Sequence, residues 1–288
     1  MSTSTVNTEI RKVASVITAQ DTSDGAGVRL KRSIGQTRHV RADPFLMLDA
    51  FNSANAQDYI AGFPPHPHRG FETVTYMLNG SMIHRDHMGN EGELVSGGVQ
   101  WMTAGKGVIH EERPQRVDGL MRGFQLWVNL PAAEKMKPAA YQNIEPEEVP
   151  KVNLADGSHV AVVAGQVKLG NDVIEGPVKG VVAAPIFFDL TLKAGGSFEQ
   201  QVPHGHTVVV YVFEGRVDIA GSTISQDKAA VLSTGDTLSL AANQDARCLV
   251  LAGKPIGEPV VQYGPFVMNT PEEVKQAVED YNNGVLTD

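Results

Sequence analysis

Two pairs of side chains in the first half of the chain have the types and spacing of metal ligands. His66 and His68 are separated by one residue, so on an extended strand both imidazoles point to the same face. His110 and Glu112 repeat this spacing, with Glu111 turned to the other face. Two such pairs on two strands can close on one ion. Three neutral imidazoles and one carboxylate suit a first-row transition metal, with Fe, Mn, Ni, Cu and Zn all compatible by ligand type, and they leave coordination positions free for water or substrate.

A second carboxylate in the same region competes with Glu112 for the metal. In the segment FETVTYML, Glu72 shares the alternation of His66 and His68, so an unbroken strand would point all three into one interior. Spacing alone leaves both acids open as ligands. The carboxylate nearer to the ion can also accept a proton from a substrate hydroxyl.

Short apolar runs separated by glycines must position these residues. Glycines at 80, 89, 92, 97, 98, 105 and 107 punctuate the runs, as strands and tight turns alternate in an all-β barrel. The polar loop NSANAQDYIAGFPP leads directly to His66, and we expect it to form part of the rim of the metal site.

Two further strands carry polar residues whose environment the pattern does not settle. In GFQLWVNLP, Gln125, Trp127 and Asn129 share one face, which either lines a pocket or faces solvent. In VRLKRSI (28–34), Arg32 breaks the alternation of apolar and basic residues. A solvated strand face is the favoured interpretation for the basic residues of this segment.

The order of these motifs resembles that of a known family. HxH followed by Glu72 and Gly80, then a glycine-rich turn and His110, resembles the two motifs of the cupin superfamily. Within it, PHPHRGFETVTYMLNGSMIHRDHMGN, VQWMTAGKGVIHEE and GFQLWVNLP are similar to segments of the pirin family, as are PFLMLD (44–49) and PFVMNTPEE (265–273). The similar segments cover most of the chain in the family's order, although the second half matches mainly through its closing segment.

The pirin resemblance implies a fold and a choice between the two acids. The implied fold is all-β, a bicupin of two cupin-type (jelly-roll) barrels in tandem with a C-terminal helix. In pirins the acid paired with the third histidine binds the metal, which implies Glu112 as the ligand and leaves Glu72 to support the ligands or handle protons. Fe(II) is the first candidate for the ion, with Mn, Ni, Cu or Zn as alternatives. His84 matches a pirin-like position, but a histidine hydrogen-bonded within a hairpin is the favoured interpretation there.

The resemblance also implies a function. Pirins are associated with quercetin 2,3-dioxygenase activity, a cleavage of the central flavonol ring that releases carbon monoxide, and they are described as iron-dependent regulatory binders of other proteins. The first hypothesis is therefore an oxidoreductase that uses a hydroxylated aromatic substrate and O₂. The second is a metal-binding regulatory protein that binds a protein partner without turnover. A third is a different cupin reaction on another hydroxylated aromatic, because the cupin fold hosts several chemistries.

The chain length and a change of pattern predict two domains. We expect residues 1–131 to form an N-terminal barrel with the metal site and residues 132–288 to form a cupin-like barrel without metal. The proline-containing segment 132–150 loses the β-period and is the predicted linker. A terminal helix is predicted over 270–284, with Thr270 as N-cap and Pro271 at the first helical position.

The second half contains a partial repeat of the metal motif. In FDLTLKAGGSFEQQVPHGHTVVVYVFEGRVDIAG, His204 and His206 again have HxH spacing. Val210 stands where the acid is expected, and LSTGDTLSLAANQDA, which should return the third ligand, has no histidine. Two imidazoles without a third ligand hold a catalytic metal poorly, so we predict no metal in this barrel.

Charge and composition limit the partners. The net charge of −9 argues against a general binder of nucleic acid or anionic membranes, which would need a basic stripe. The single cysteine, Cys248, excludes an internal disulfide. The start MSTSTVNTEIRK lacks the apolar region of a signal peptide, and no stretch is long enough to span a bilayer. We predict a cytoplasmic protein with no direct nucleic-acid or membrane partner.

Overall fold

Strands dominate the computed structural model, which describes residues 9–115 and 119–288. The strands up to residue 144 are β1 (Val13–Thr18), β2 (Gln20–Asp24), β3 (Val28–Arg32), β4 (Phe45–Ser53), β5 (Phe63–His68), β6 (Phe71–Asn79), β7 (Ser81–Asp86), β8 (Glu91–Leu94), β9 (Val99–Thr103), β10 (Val108–Gln115), β11 (Met121–Asn129) and β12 (Ala140–Ile144). Three short 3₁₀ turns are Ala56–Asp58, Ala132–Glu134 and Pro146–Glu148.

The remaining strands are shorter on average, and one helix follows the last of them. They are β13 (Lys151–Asn153), β14 (His159–Ala164), β15 (Gln166–Leu169), β16 (Asp172–Glu175), β17 (Ile186–Leu192), β18 (Ser197–Gln201), β19 (Thr207–Glu214), β20 (Arg216–Ile219), β21 (Ser222–Ser225), β22 (Lys228–Leu232), β23 (Thr237–Ala241), β24 (Ala246–Gly253), β25 (Val261–Tyr263), β26 (Phe266–Met268) and the helix α1 (Pro271–Asn282). Among residues 9–115 and 119–288, no helix is long and apolar enough to cross a bilayer.

The described residues divide into two compact units, each built on one barrel. The unit of the first barrel contains residues 19–149, 180–183 and 256–288. The unit of the second barrel contains residues 9–18, 150–179 and 184–255.

The first barrel consists of two antiparallel sheets. A seven-stranded sheet has the order β12-β9-β6-β11-β4-β3-β2, and a four-stranded sheet has the order β5-β10-β7-β8. The hairpin β25–β26 and helix α1 belong to the same unit, where Phe266, Ala277 and Leu286 are buried together. The predicted capping box is present, because the Thr270 hydroxyl accepts from the Glu273 amide and the Glu273 carboxylate accepts from the Thr270 amide.

The second barrel repeats this arrangement strand for strand at its centre. Its seven-stranded sheet has the order β1-β22-β19-β24-β17-β14-β13, and its four-stranded sheet has the order β18-β23-β20-β21. Strands β22, β19, β24 and β17 therefore take the places that β9, β6, β11 and β4 have in the first barrel. Strands β18, β23, β20 and β21 likewise match β5, β10, β7 and β8. The partial sequence repeat thus corresponds to a repeated sheet topology.

The predicted division at residue 131 differs from the compact units. Strand β12 lies inside the segment 132–150 that we expected to be a linker, yet it pairs with β9 of the first barrel. Strand β1, expected in the first barrel, pairs with β22 of the second. Helix α1 follows the second barrel in sequence but belongs to the unit of the first. An edge strand needs only a free sheet edge to pair with, and the polarity of a segment does not reveal which edge that is.

Candidate metal centre

Three histidines converge because β5 and β10 are antiparallel neighbours. His66 lies opposite His110, and His68 lies opposite Val108, so the three imidazoles share one face of the four-stranded sheet. The ring centroids are 4.4 Å apart for His66 and His110, 4.7 Å for His66 and His68, and 4.9 Å for His68 and His110. One candidate ligand atom from each ring lies within 4.8 Å of the others. The sequence prediction that these three side chains meet agrees with this geometry.

The free ring nitrogens of the three histidines fit a metal ion. The His66 Nδ1–H donates to the Pro64 carbonyl at 2.8 Å, which leaves Nε2 as the free atom. The His68 ring donates to the Pro265 carbonyl, and its Nδ1 is buried without a partner among the described residues. Both nitrogens of His110 are buried and unpaired as well. Buried nitrogens without partners cost free energy, and a bound cation would satisfy them.

Burial also keeps the imidazoles in the form that binds metal. It lowers the pKa of His66 and lowers the pKa values of His68 and His110 well below the usual value for histidine, and the neighbouring imidazoles add to the effect for the last two. The rings are therefore neutral at physiological pH, and a neutral imidazole is the metal-binding species.

Glu112 lies beside these rings, but in a less direct position. It is buried on the same face of β10 as His110, and the Thr75 hydroxyl lies 3.2 Å from its Oε1. Burial raises the pKa of Glu112 to about 7, and the Thr75 contact opposes that shift. Its oxygens lie outside the group of mutually close ligand atoms that the three histidines form. Its role as the fourth ligand stays a prediction; a cation beside it would favour its ionised form.

Glu72 does not face this site, contrary to the expectation from alternation. The chain turns at Gly70, with φ of 89°, between β5 and β6, and the two strands belong to different sheets. The alternation of side-chain direction along β5 therefore does not continue into β6, and it does not place Glu72 on the same side as His68. The Glu72 carboxylate accepts from Trp101 Nε1 at 3.0 Å and from Thr103 Oγ1 at 2.8 Å. It is absent from the residues that line the pocket at the histidines, so proton handling in that pocket by Glu72 finds no support in the geometry.

His84 is nearer to the site than the favoured interpretation supposed. It lies on β7 opposite Glu112, and its ring centroid is 4.9 Å from that of His110. Its Nδ1 is 3.2 Å from the side-chain nitrogen of Gln100. Its Nε2 is buried and has no partner among the described residues. His84 is thus a polar group inside the barrel next to the candidate ligands.

A pocket of about 540 Å³ opens at His66, His68 and Glu112. Apolar side chains form much of its wall, including those of Leu30, Met47, Phe51, Phe63 and Trp127. Pro64 and Pro65 also line it, which agrees with the expectation that the loop before His66 forms the rim. Gln125 and Trp127 line it too, so the polar face of β11 faces the pocket rather than solvent.

The sequence prediction missed an ion pair in the same wall. The Arg32 guanidinium donates to both carboxylate oxygens of Asp49, at 2.7 and 2.6 Å, and to Asp24 at 2.8 Å. All three residues line the pocket, so the solvated face expected for the basic residues of this strand is wrong for Arg32. Its break in the alternation was the available signal. Bidentate pairing of this kind fixes the planes of both groups.

The second barrel places its two histidines differently. His204 and His206 lie in a turn between β18 and β19, and not within a strand as His66 and His68 do. His204 is more than half exposed, and its Nδ1 is 3.2 Å from Asp236 Oδ1. Strand β23, which matches β10, has the sequence TLSLA and offers neither a histidine nor an acid. The absence of metal from this barrel stays a prediction.

Comparison with known proteins confirms the fold. The Pirin family model matches residues 27–128, and the model of the pirin C-terminal cupin domain matches residues 187–287. A Pseudomonas aeruginosa protein with the provisional name quercetin 2,3-dioxygenase is 54% identical over 282 residues, 97% of this chain and 99% of its own. Human pirin is 40% identical over 283 residues, 95% of this chain and 93% of its own. The crystal structure of quercetin 2,3-dioxygenase from Acinetobacter baumannii is 35% identical, with a TM-score of 0.86 over 96% of this chain and 98% of that one.

Proposed function

The chain belongs to the pirin family, and from that premise we propose that it is a metal-dependent dioxygenase of quercetin-like flavonols. One observation carries the proposal: three neutral imidazoles with free nitrogens meet, and two of them, His66 and His68, line a largely apolar pocket of about 540 Å³. That volume lies in the range of small-molecule sites, roughly 300–1,000 Å³. The names of the Pseudomonas and Acinetobacter proteins support the same substrate class.

We assign the ion to His66, His68 and His110, with Glu112 as the fourth ligand. Fe(II) is the first candidate, and Mn, Ni, Cu or Zn are alternatives that the same donors accept. When bound, the ion supplies Lewis acidity, which lowers the pKa of a hydroxyl that coordinates it. The predicted cytoplasmic location suits a ferrous ion, and cell fractionation tests that location.

The protein's own groups then have separate tasks. Glu112 accepts the proton of the flavonol 3-hydroxyl, because it is the carboxylate that lies beside the three histidines and also lines the pocket. Phe63, Met47 and Trp127 hold the flat ring system and exclude water. In the overall reaction the C2–C3 and C3–C4 bonds of the flavonol break and C3 leaves with its oxygen as carbon monoxide. Both atoms of O₂ enter the remaining ester acid, and the proton of the 3-hydroxyl returns to its new carboxyl group. The flavonol supplies the electrons that reduce O₂, so no external reductant is needed.

The test is oxygen consumption measured together with carbon monoxide release, at substoichiometric enzyme, for protein loaded with each metal in turn. We expect quercetin to be turned over, a chelator to abolish turnover, and a flavone without the 3-hydroxyl to be inert. The double variant His204→Ala/His206→Ala is the matched control, because it removes an HxH pair without touching the proposed site.

The regulatory alternative is separated by the same assay. If quercetin binds and shifts its absorbance but neither gas changes with any metal, the dioxygenase proposal fails. A metal-binding protein that acts on a protein partner then takes its place. Turnover of a different hydroxylated aromatic, with quercetin inert, would instead support the third hypothesis from the sequence.

A further inference from the structure

A single row of polar side chains crosses the inner face of the seven-stranded sheet in the first barrel. Each member lies opposite the next on the neighbouring strand, across six strands from β3 to β12. We call this set the polar row, and its members in order are Arg32, Asp49, Gln125, Thr75, Gln100 and Asn143. The adjacent row on the same face contains Met47, Trp127, Thr73 and Met102, and is mainly apolar.

The centre of the polar row contacts Glu112 on the opposite sheet. Thr75 is buried, and its hydroxyl lies 2.7 Å from Gln125 Oε1 and 3.2 Å from Glu112 Oε1. Among residues 9–115 and 119–288, Thr75 is the one side chain whose hydrogen bond to the Glu112 carboxyl is resolved. The contact engages Oε1, and Glu112 also lines the pocket.

One proton limits what the Thr75 hydroxyl can do. It can donate either to Gln125 or to Glu112, and it accepts from the other partner. An ionised Glu112 has no proton to give, so it requires the hydroxyl to donate to it. Gln125 must then turn its amide nitrogen toward Thr75 and donate in its place. A Gln125 amide that donates to the Thr75 hydroxyl therefore keeps the hydroxyl proton directed at the ionised carboxylate.

We propose that Thr75, held by Gln125, is the positioning residue that fixes the Glu112 carboxylate beside the three histidines. The inference deepens the proposed function and rests on its assignment of Glu112 as a ligand. A carboxylate that can rotate freely loses ordering entropy when it coordinates an ion, and a fixed one has already lost it. The hydrogen bond that orients Glu112 therefore comes from Thr75 on the seven-stranded sheet. The proposed metal ligands themselves lie on the four-stranded sheet.

Metal affinity of the purified protein, measured by competition with a chelator and without any substrate, tests the proposal. Thr75→Val is isosteric and removes only the hydroxyl, and we expect it to weaken metal binding about 10- to 100-fold. Thr75→Ser restores the hydroxyl and should restore most of the affinity. Thr73→Val is the matched control: Thr73 is equally buried on the same face of β6 but lies in the adjacent row, opposite Trp127 and Met102.

Gln125→Met tests the second step. We expect it to weaken metal binding in the same direction as Thr75→Val. The double variant Thr75→Val/Gln125→Met should be no weaker than Thr75→Val alone, because Gln125 acts through the hydroxyl. Additive losses in the double variant would overturn this relay.

Wild-type metal affinity in Thr75→Val, or an equal loss in Thr73→Val, overturns the proposal. So does an unchanged affinity in Glu112→Gln, because Thr75 would then have no ligand to position. Failure of the dioxygenase assay is a separate result. If wild-type protein consumes no oxygen while Thr75→Val still weakens metal binding and Thr75→Ser restores it, the positioning role holds without the enzyme.

Discussion

The two barrels share one strand order, but the interior of the second is apolar where that of the first is polar. Across the second barrel, Phe188, Val250, Val210 and Ala230 lie opposite one another on β17, β24, β19 and β22, and all four are buried in one apolar cluster. Across the matching strands of the first barrel, the polar row holds Asp49, Gln125, Thr75 and Gln100. The same topology therefore encloses a packed core in one case and a polar site in the other.

The comparison separates what stabilises the fold from what makes the site. The second barrel shows that the same pair of sheets can enclose a core of apolar side chains. The first barrel buries three imidazoles, a carboxyl and a row of amide and hydroxyl groups, each of which costs free energy unless it is paired. Several of those groups lack protein partners in the described residues, as expected where a site is built for something that binds.

Loss of one histidine is expected to give the largest difference between the barrels. His110→Ala should lose nearly all bound metal, because two imidazoles hold an ion poorly. His204→Ala/His206→Ala should keep the metal content of the wild type. Elemental analysis of protein purified without added metal measures both. Full occupancy in His110→Ala, or two ions per chain with one lost from the second-barrel variant, would break the comparison.

Truncation of a core side chain in the second barrel should lower stability without changing the metal content. Phe188→Ala should lower the free energy of unfolding by about 3–5 kcal/mol and leave metal content unchanged in the folded protein. Urea unfolding followed by circular dichroism measures the first quantity. Val173→Ala is the control, since Val173 is 52% exposed in the same barrel and its truncation should change stability by no more than about 0.5 kcal/mol. Equal losses of unfolding free energy in the two variants would show that Phe188 does not lie in a packed core.

Replacing each of the two buried acids by glutamine, in separate variants, tests which of them is the carboxylate ligand in the first barrel. Glu112→Gln should weaken metal binding at least about 100-fold, the upper end of the effect of losing a supporting group, because a neutral amide offsets no ionic charge. Glu72→Gln should keep its metal, since the Glu72 carboxylate is held by Trp101 and Thr103 away from the pocket. Chelator competition compares the two. The reverse result would return the ligand role to Glu72.

The smallest expected effect concerns a buried charge outside the site. Lys135 donates to the Gly70 and Val267 carbonyls and to Asn129 Oδ1, at 2.7, 2.9 and 2.8 Å, and burial lowers its pKa to about 8. Between pH 8 and 10.5, the usual pKa of lysine, the Lys135 side chain of the unfolded protein keeps a proton that the folded protein has released. Stability should therefore rise with pH in this window, by at most about 1.4 kcal/mol per pH unit.

The measurement is the free energy of unfolding of wild type and Lys135→Met from pH 8 to 10. The slope should be lost in Lys135→Met and kept in Lys254→Met, which changes an exposed lysine of the second barrel. Parallel slopes in all three proteins would show that the hydrogen bonds keep Lys135 charged.

Some features of the site and of the fold could be predicted because they depend only on residues that are close in sequence. The HxH spacing puts His66 and His68 on one face of any strand, and the capping box at Thr270 and Glu273 is complete within four residues. Other parts could not. The sequence pattern predicts solvent exposure for Arg32 because its partner Asp49 is 17 residues away, on a strand whose register the pattern does not specify.

The amino-acid pattern was enough to predict the candidate ligand side chains and the all-β character, and it shows that the second repeat has no third histidine. Three features became visible only in the folded chain: Gly70 separates Glu72 from His68, β12 and β1 pair with sheets of different barrels, and the polar row forms. The reason is physical: alternation is a property of one continuous strand, whereas strand pairing and register follow from long-range backbone hydrogen bonds and packing. Thr75, Gln125 and Glu112 come together only through that register, so no local pattern contains the contact between them.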